Sequence, residues 1–411
     1  MSSKLIFSVL ALLSIILFIR LAIHFLSVRS YPEGKNITFE TQVLTQPKIS
    51  SRGAQVSLSL PNSQRVIVRF VLSPLISYGD KIKLEGKIEY FKAKNGDNVA
   101  FMNYPKFEIL KKGEDNLLFS LRERIIYFFN SKLNPTHSAL MLGIVFGIKE
   151  EMASEFYLNL QKTGLLHVIA ASGMNVTMVG GFLASIFSFF FKRQLALIMS
   201  ILGIFFYAFM AGLEPSIVRA SIMGVLVFGS QIIGRQNMSF LGLFMAGFLM
   251  LFLNPSLLLD IGFQLSFMAT LGLIFLQPAF FINKQARKMI QKSVIGEDLV
   301  TTLTAQIFTL PILLVNFGTY SIWSVLVNSI LLWTIPFLMV IGGIASILGL
   351  LIEPLGRIFL YLALPFLLYF EAIVNWFGSN AQEINIGNLP ISISIGYYLI
   401  LASIIIRIKR R

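Results

Sequence analysis

Residues Gly164 to Phe191 read GLLHVIAASGMNVTMVGGFLASIFSFFF. The stretch is apolar and long enough to cross a bilayer, whose hydrocarbon core of about 30 Å takes roughly 20 residues of helix. Its first half nevertheless carries His167, Ser172 and Asn175. Such groups are costly in hydrocarbon unless they face other helices or a wet cavity. The segment therefore points to a polytopic helical membrane protein and to the place where that protein does its work.

The rest of the chain has the same character. Of 411 residues, 55% are hydrophobic and 13% charged, with 38 Phe and a mean hydropathy of +0.76. One soluble core has no use for so much apolar surface. Ten stretches qualify as spans: Leu5–Val28, Gly164–Phe191, Leu195–Gly212, Ser216–Ile233, Met238–Leu253, Leu258–Gln277, Leu299–Phe317, Trp323–Ile352, Ile358–Phe377 and Ile391–Ile406. The first follows Lys4, but its length and the lack of an A-x-A-like site near Arg29 fit a retained anchor better than a signal peptide.

Basic residues in short loops stay in the cytoplasm. One alternate set of loops holds Lys192, Arg193, Arg235, Lys284, Arg287, Lys288, Lys292 and Arg357, and it continues in the tail Arg407, Lys409, Arg410 and Arg411. The intervening loops hold Glu214 and Glu383. Both termini are thus expected inside the cytoplasmic (inner) membrane, which requires an even number of spans. The basic tail reads as a topology signal rather than a nucleic-acid patch.

Outside the spans, residues 30–112 form the largest piece, and this topology places them outside. GAQVSLSLPNSQRVIVRFV holds two β-rich runs joined at Pro61, Asn62 and Ser63, and YGDKIKLEGKIEYF adds an alternating strand entered through Gly79 and Asp80. Short strands of even spacing suit a small extracytoplasmic barrel such as an OB-fold. Between Tyr31 and Lys112, thirteen Lys and Arg against seven Asp and Glu leave a balance of +6. A basic barrel suits nucleic acid or an anionic envelope polymer, and equally a solvated cap on the membrane domain.

Residues 113–155 follow. Leu117–Leu133 gathers Arg122, Glu123, Arg124, Asn130 and Lys132 against an apolar face, the pattern of an interfacial helix. Thr136–Ile148 is apolar but too short to span, as in a re-entrant or protein-buried helix. The polytopic domain occupies residues 156–411.

Within the spans, Gly173 and Gly180 lie seven apart on one helix face, with Gly181 beside it, so close helix packing is expected there. Ser172 and Asn175 roughly share a face. Arg219 follows the helix-starting Pro215 by one turn, and Asp260 lies four residues before Gln264. Arg219 and Asp260 both fall near outer span ends, and an ion pair or shared hydrogen-bond network between them is expected, since each alone is expensive there. Gln306, Asn316 and Asn328 continue the polar set. Any one amide or hydroxyl reads as interhelical glue, but so many on several helices read as a wet interior seam.

Other chemistries find less support. Cysteine is absent, and His24, His137 and His167 are too few and scattered for a metal centre, so no cofactor is expected. No G-x-x-x-x-G-K-[ST] loop occurs, so the chain is not expected to power movement. His167 and Ser172 are five apart, about 140° around a helix axis, which argues against a catalytic dyad.

Four ordered motifs carry a family resemblance. TGLLHVIAASGMNVTMVGGFL, LEPSIVRASIMGVLVFGSQIIGR, NPSLLLDIGFQLSFMATLGLIFL and LTAQIFTLPILLVNFGTYSIWSVLVN, within Thr163 to Asn328, resemble the signature blocks of the ComEC-type competence proteins. The region with GDKIKLEGKI is similar to the OB-like domain that precedes the channel in that family. The resemblance implies a non-enzymatic membrane channel for uptake of single-stranded DNA in natural transformation. His167, Ser172, Asn175, Arg219, Asp260, Gln264, Gln306 and Asn328 are the candidate lining of its path. It also implies an extracytoplasmic DNA receptor and a separate cytoplasmic motor as partners, and leaves homo-oligomerisation open. Two departures stand out. Asn175 occupies the place of a histidine in many relatives, and no metallo-β-lactamase-like domain or His-x-His-x-Asp-His cluster follows, so a separate nuclease is expected. The competing readings are a transporter or flippase for another anionic substrate and, behind it, an intramembrane enzyme using His167 with Ser172 or Asp260.

Overall fold

The computed structural model describes residues 3–27, 31–43, 48–50, 53–60, 65–71, 76, 79–92, 98–112, 117–148, 152–169, 173–234, 239–281, 287–288, 296–380, 383–385, 387 and 389–410. It divides into two units, Met1–Ser120 and Leu121–Arg411.

The first unit opens with helix α1 (Ser3–Ser27), whose apolar side chains from Val9 to Leu26 are exposed or half-buried on every face, as a lipid-facing helix requires. Eight short strands follow: β1 (Asn36–Gln42), β2 (Lys48–Ser50), β3 (Gly53–Ser59), β4 (Arg65–Phe70), β5 (Lys81–Lys87), β6 (Glu89–Lys92), β7 (Asn98–Asn103) and β8 (Lys106–Lys111). In β1 and β5 burial alternates residue by residue, so Ile37, Phe39, Ile82 and Leu84 turn inward, the period of a sheet covered on one face. Antiparallel pairing sets Phe39 opposite Leu84 within a β1-β5-β8 sheet. A second sheet has the order β2-β3-β4-β7-β6, with β4 and β7 parallel. Val56, Val68, Ala100 and Met102 join the β1 and β5 side chains in one core. β3 and β4 form the hairpin expected from the sequence, with Val56 facing Val68. Its turn, residues 61–64, lies outside the described residues.

The second unit is helical. In order come α2 (Leu117–Lys132), α3 (Pro135–Phe146), α4 (Ser154–Lys162), α5 (Leu166–Ile169), α6 (Gly173–Phe190), α7 (Arg193–Met210), α8 (Pro215–Ile232), α9 (Ser239–Leu253), a 3-10 turn (Pro255–Leu259), α10 (Ile261–Phe275), α11 (Gln277–Phe280), α12 (Gly296–Phe317), α13 (Ser324–Leu331), α14 (Thr334–Leu351), α15 (Glu353–Asn380) and α16 (Ile391–Arg410). A two-stranded ribbon pairs β9 (Thr319–Ser321) with β10 (Glu383–Asn385).

Across the described residues, eight helices are long and apolar enough to cross a membrane, and they fall in eight of the ten stretches read from the sequence. The other two stretches hold the shorter apolar helices Ser239–Leu253 and Ser392–Arg407. Two boundaries differ from the expectation. Trp323–Ile352 is two helices, α13 and α14, rather than one rod. Gly164–Phe191 also divides: Gly164, at φ 74° just beyond α4, takes the left-handed position that ends that helix, and the stretch then holds the short α5 and, from Gly173, α6. Its spanning helix begins at Gly173, so His167 belongs to the short α5 before it.

α3 lies at the centre of the unit, with ten of its twelve residues buried. Pro135 opens it, Asn134 accepts from His137 N at 2.7 Å, and Gly147 at φ 66° closes it, a complete set of start and stop signals. Small residues let neighbours approach. A Cβ on Gly342 of α14 would lie 2.6 Å from Val145 Cγ2, and one on Gly143 would lie 2.3 Å from Ile169 Cγ2. On α6 the expected glycine face is real at Gly180, where a Cβ would lie 2.9 Å from Ile204 Cδ1. Gly181 departs from the expectation, facing open space with nothing within 4 Å.

Candidate substrate path in the membrane unit

Pro215 sets the start of α8 and places Arg219 one turn in, where the residue is only 7% exposed. Its Nε donates to Ser266 Oγ at 2.9 Å, and Nη1 donates to Thr270 Oγ1 and approaches Met223 Sδ at 3.7 Å. Ser266 and Thr270 are four apart and therefore share one face of α10. On the other side the guanidinium rests against α6, where a Cβ on Gly173 would lie 2.7 Å from Nη2. The absence of a side chain at Gly173 leaves room for the guanidinium in this position, and a Cβ there would have to push it aside.

The expected Arg219–Asp260 pairing does not form. Among the described residues every hydrogen-bonding partner of Arg219 is neutral. Asp260 instead caps α10, accepting from Phe263 N at 2.9 Å. Residues entering a helix offer unpaired backbone N–H groups, and a carboxylate at the N-cap satisfies one while matching the helix dipole. Gln264 serves the same corner, donating from Nε2 to Leu258 O at 2.8 Å. Arg219 thus bonds about two and three turns beyond the residue expected to neutralise it.

A second polar group joins α12 and α13. Gln306 Nε2 donates to Ser324 Oγ at 2.8 Å, and Tyr320 OH donates to Gln306 Oε1 at 2.6 Å. Ser324 in turn abuts the turn at Gly164, where a Cβ would lie 2.6 Å from Ser324 Cβ. His167 Nδ1 lies 3.0 Å from Gly164 O, with the ring exposed. His167 and Gln306, distant in sequence, therefore border one junction. Ser321 ties the ribbon to the same place through Lys162 O.

Asn175 does different work. The last turn of α3 leaves four carbonyls without helical partners. Ile148 N and Gly147 N take Leu142 O and Gly143 O at 3.1 and 2.8 Å. Asn175 Nδ2 donates to Ile144 O at 2.8 Å, and Tyr207 OH donates to Val145 O at 3.0 Å. Ile144 O and Val145 O, beyond the reach of the cap's own N–H groups, are thus satisfied from other helices, and Asn175, 2% exposed, is fixed between α6 and α3. Asn328 is 1% exposed, and among the described residues its buried Oδ1 has no hydrogen-bond partner. Ser172 lies outside the described residues.

Several polar contacts escaped the sequence reading. Ser266 and Thr270 were legible as two hydroxyls four apart, but nothing local assigns them to Arg219. His137, seen only as a scattered histidine, places Nε2 2.8 Å from Glu371 Oε2 of α15. One turn on, Asn375 Oδ1 accepts from Asn159 Nδ2 at 3.1 Å. Glu371 lies inside the apolar stretch Ile358–Phe377, and that intramembrane carboxylate was the available signal.

The sequence profile of the competence protein family matches residues 144–411. The chain belongs to that family. Over 281 residues it is 29% identical to ComE operon protein 3 of Bacillus subtilis (strain 168), covering 67% of this chain and 34% of that relative. Over 276 residues it is 27% identical to an uncharacterized protein of Aquifex aeolicus (strain VF5), covering 64% of each. The chain thus spans about a third of the first relative and under two thirds of the second. No solved structure matches it. The matched region contains both the Arg219 cluster and the Gln306 junction, so they are features of the competence domain of a membrane protein.

Proposed function

We propose that this competence protein is an integral channel for uptake of single-stranded DNA across the cytoplasmic membrane. In this reading ten helices span, both termini lie inside, and the N-terminal strands form an OB-like domain that meets DNA outside. The observation that carries it is the Arg219 site. A buried guanidinium is expensive unless charge compensates it, yet its protein partners are two hydroxyls and a thioether. A cation so held retains its field for a passing anion. Neutral hydroxyls and amides nearby suit a polyanion that must also leave, because they hold it weakly. A single strand carries a phosphate at each nucleotide and needs such a hydrated, sequence-tolerant route.

The chain supplies passage rather than bond cleavage in this proposal. A receptor outside, a cytoplasmic motor and a nuclease on other polypeptides complete the process.

The test is uptake of labelled DNA past the cytoplasmic membrane in a deletion strain complemented with variants. Deletion should abolish internal DNA. Arg219→Ala should lower it about 10-fold or more, the effect of about 1.4 kcal/mol. Arg219→Lys should also be impaired, because one ammonium cannot reproduce a fork that reaches both Ser266 and Thr270. Normal internal DNA in the deletion strain overturns the assignment. Normal DNA uptake in Arg219→Ala, with loss of export or flipping of an anionic lipid, favours the transporter reading instead.

A further inference from the structure

Pro311 lies inside α12. Proline has no N–H to give the carbonyl four residues back, and its ring crowds that carbonyl. Here the deprived carbonyl is Ile307 O, and Phe308 O beside it borders the same gap. Both receive donors from another helix. Tyr397 OH of α16 donates to Ile307 O at 3.0 Å, and Tyr398 OH donates to Phe308 O at 2.8 Å. Two adjacent hydroxyls thus meet two adjacent carbonyls.

The correspondence is selective. Pro365 opens an equivalent gap over Tyr361 O in α15, and among the described residues no side chain donates to it. Two residues before Pro311, Thr309 Oγ1 also bonds back to Ala305 O at 2.9 Å, a contact that bends helices. Prolines and hydroxyl back-bonds are where helices flex, and membrane helices tolerate them when neighbours resupply the lost donor. Gln306 immediately precedes Ile307, so the orientation of this turn sets where its amide meets Tyr320 and Ser324.

We propose that Tyr397 and Tyr398 are positioning residues. They stand in for the missing amide donor, hold the two halves of α12 in one relative geometry, and so fix Gln306 at its junction. The C-terminal helix acts as a clamp on a built-in hinge. The link to transport rests on the DNA-channel reading, whereas the clamp itself does not.

Tyr→Phe changes keep the rings and remove only the donors. The chain has no cysteine, so Leu299→Cys and Phe317→Cys, both exposed on α12, can carry a pair of spin labels without background. In full-length protein in nanodiscs, the inter-label distance distribution should be narrow. Tyr397→Phe with Tyr398→Phe should broaden it. Adding Pro311→Ala, which restores the backbone N–H to Ile307 O, should narrow it again, while adding Pro365→Ala should not. A distribution indifferent to the tyrosines, or one that Pro311→Ala fails to restore, overturns the clamp.

The same variants are then read by DNA uptake. The double Tyr→Phe variant should lose about 10-fold, equivalent to about 1.4 kcal/mol, and Pro311→Ala should recover most of it. If deletion abolishes uptake and Arg219→Ala lowers it but the double variant takes up DNA normally, the channel reading stands and the positioning role is wrong. If deletion itself leaves uptake unchanged, the channel reading falls while the spin-label result still judges the clamp.

Discussion

Asn175 and Tyr207 show how single residues in this chain serve two needs at once. Each is polar inside an apolar unit, and each finds a donor role at a carbonyl that the end of α3 would otherwise leave bare. A buried acceptor stripped of its donor costs about 1–3 kcal/mol. Asn175→Leu and Tyr207→Phe should therefore each lower the unfolding free energy in detergent by about that amount. Tyr207→Phe is the cleaner probe, since it changes no packing volume. Stability equal to the parent in both variants would show that the α3 terminus is satisfied by other means. Arg219 contrasts with these two. Its hydroxyl partners compensate hydrogen bonding without compensating charge, so its burial is costly to the fold.

At the scale of elements, glycine placement separates helices that touch from helices that do not. Gly143 has Ile169 Cγ2 at 2.3 Å and Ile169 O at 3.0 Å from where a Cβ would stand. Gly143→Ala must displace backbone, and overpacking of this kind costs about 1–3 kcal/mol. Gly181 has open space around it, and Gly181→Ala should be neutral or stabilising by up to about 1 kcal/mol through helix propensity. Thermal unfolding of the two single variants decides the point, and equal effects would refute the packing assignment. Such contacts explain what was legible beforehand. Apolar runs of bilayer length betray spanning helices, because lipid demands them continuously. Breaks between helices, such as that between α5 and α6, are hidden inside the same apolar run. Partners across helices were the least legible. Arg219 could be seen to need a neighbour, but Asp260 was diverted to the N-cap of α10, a local use that outcompeted the distant ion pair. Pro311 announced a gap in α12, while the tyrosines that fill it lie 90 residues further on.

At the scale of the whole molecule, charge and aromatic placement argue where a strand would first be met. Residues Tyr31 to Lys112 carry thirteen basic and seven acidic side chains, a balance of +6. On the five-stranded sheet, Arg69 Cζ lies 5.3 Å from the Phe101 ring centroid, and Phe91, 66% exposed, packs edge-on against the same ring at 6.2 Å. A cation laid on an aromatic pair matches the chemistry by which single strands are held without sequence preference, phosphate by charge and base by stacking. Nearby Glu89 is engaged as acceptor from Asn103 Nδ2 at 2.7 Å. Binding of a labelled oligonucleotide to the full chain in nanodiscs should therefore weaken with salt, with a slope of about −0.7 per phosphate contact for a single strand. Phe91→Ala should cost about 1–3 kcal/mol of affinity as one stacked base is lost, with the slope unchanged. Arg69→Gln should instead flatten the slope by about 0.7. The two substitutions thus act on separable terms, and that separation distinguishes a binding face from a merely solvated cap. If neither changes affinity nor slope, the strand is met elsewhere, and the surplus of positive charge on this domain serves solubility rather than capture.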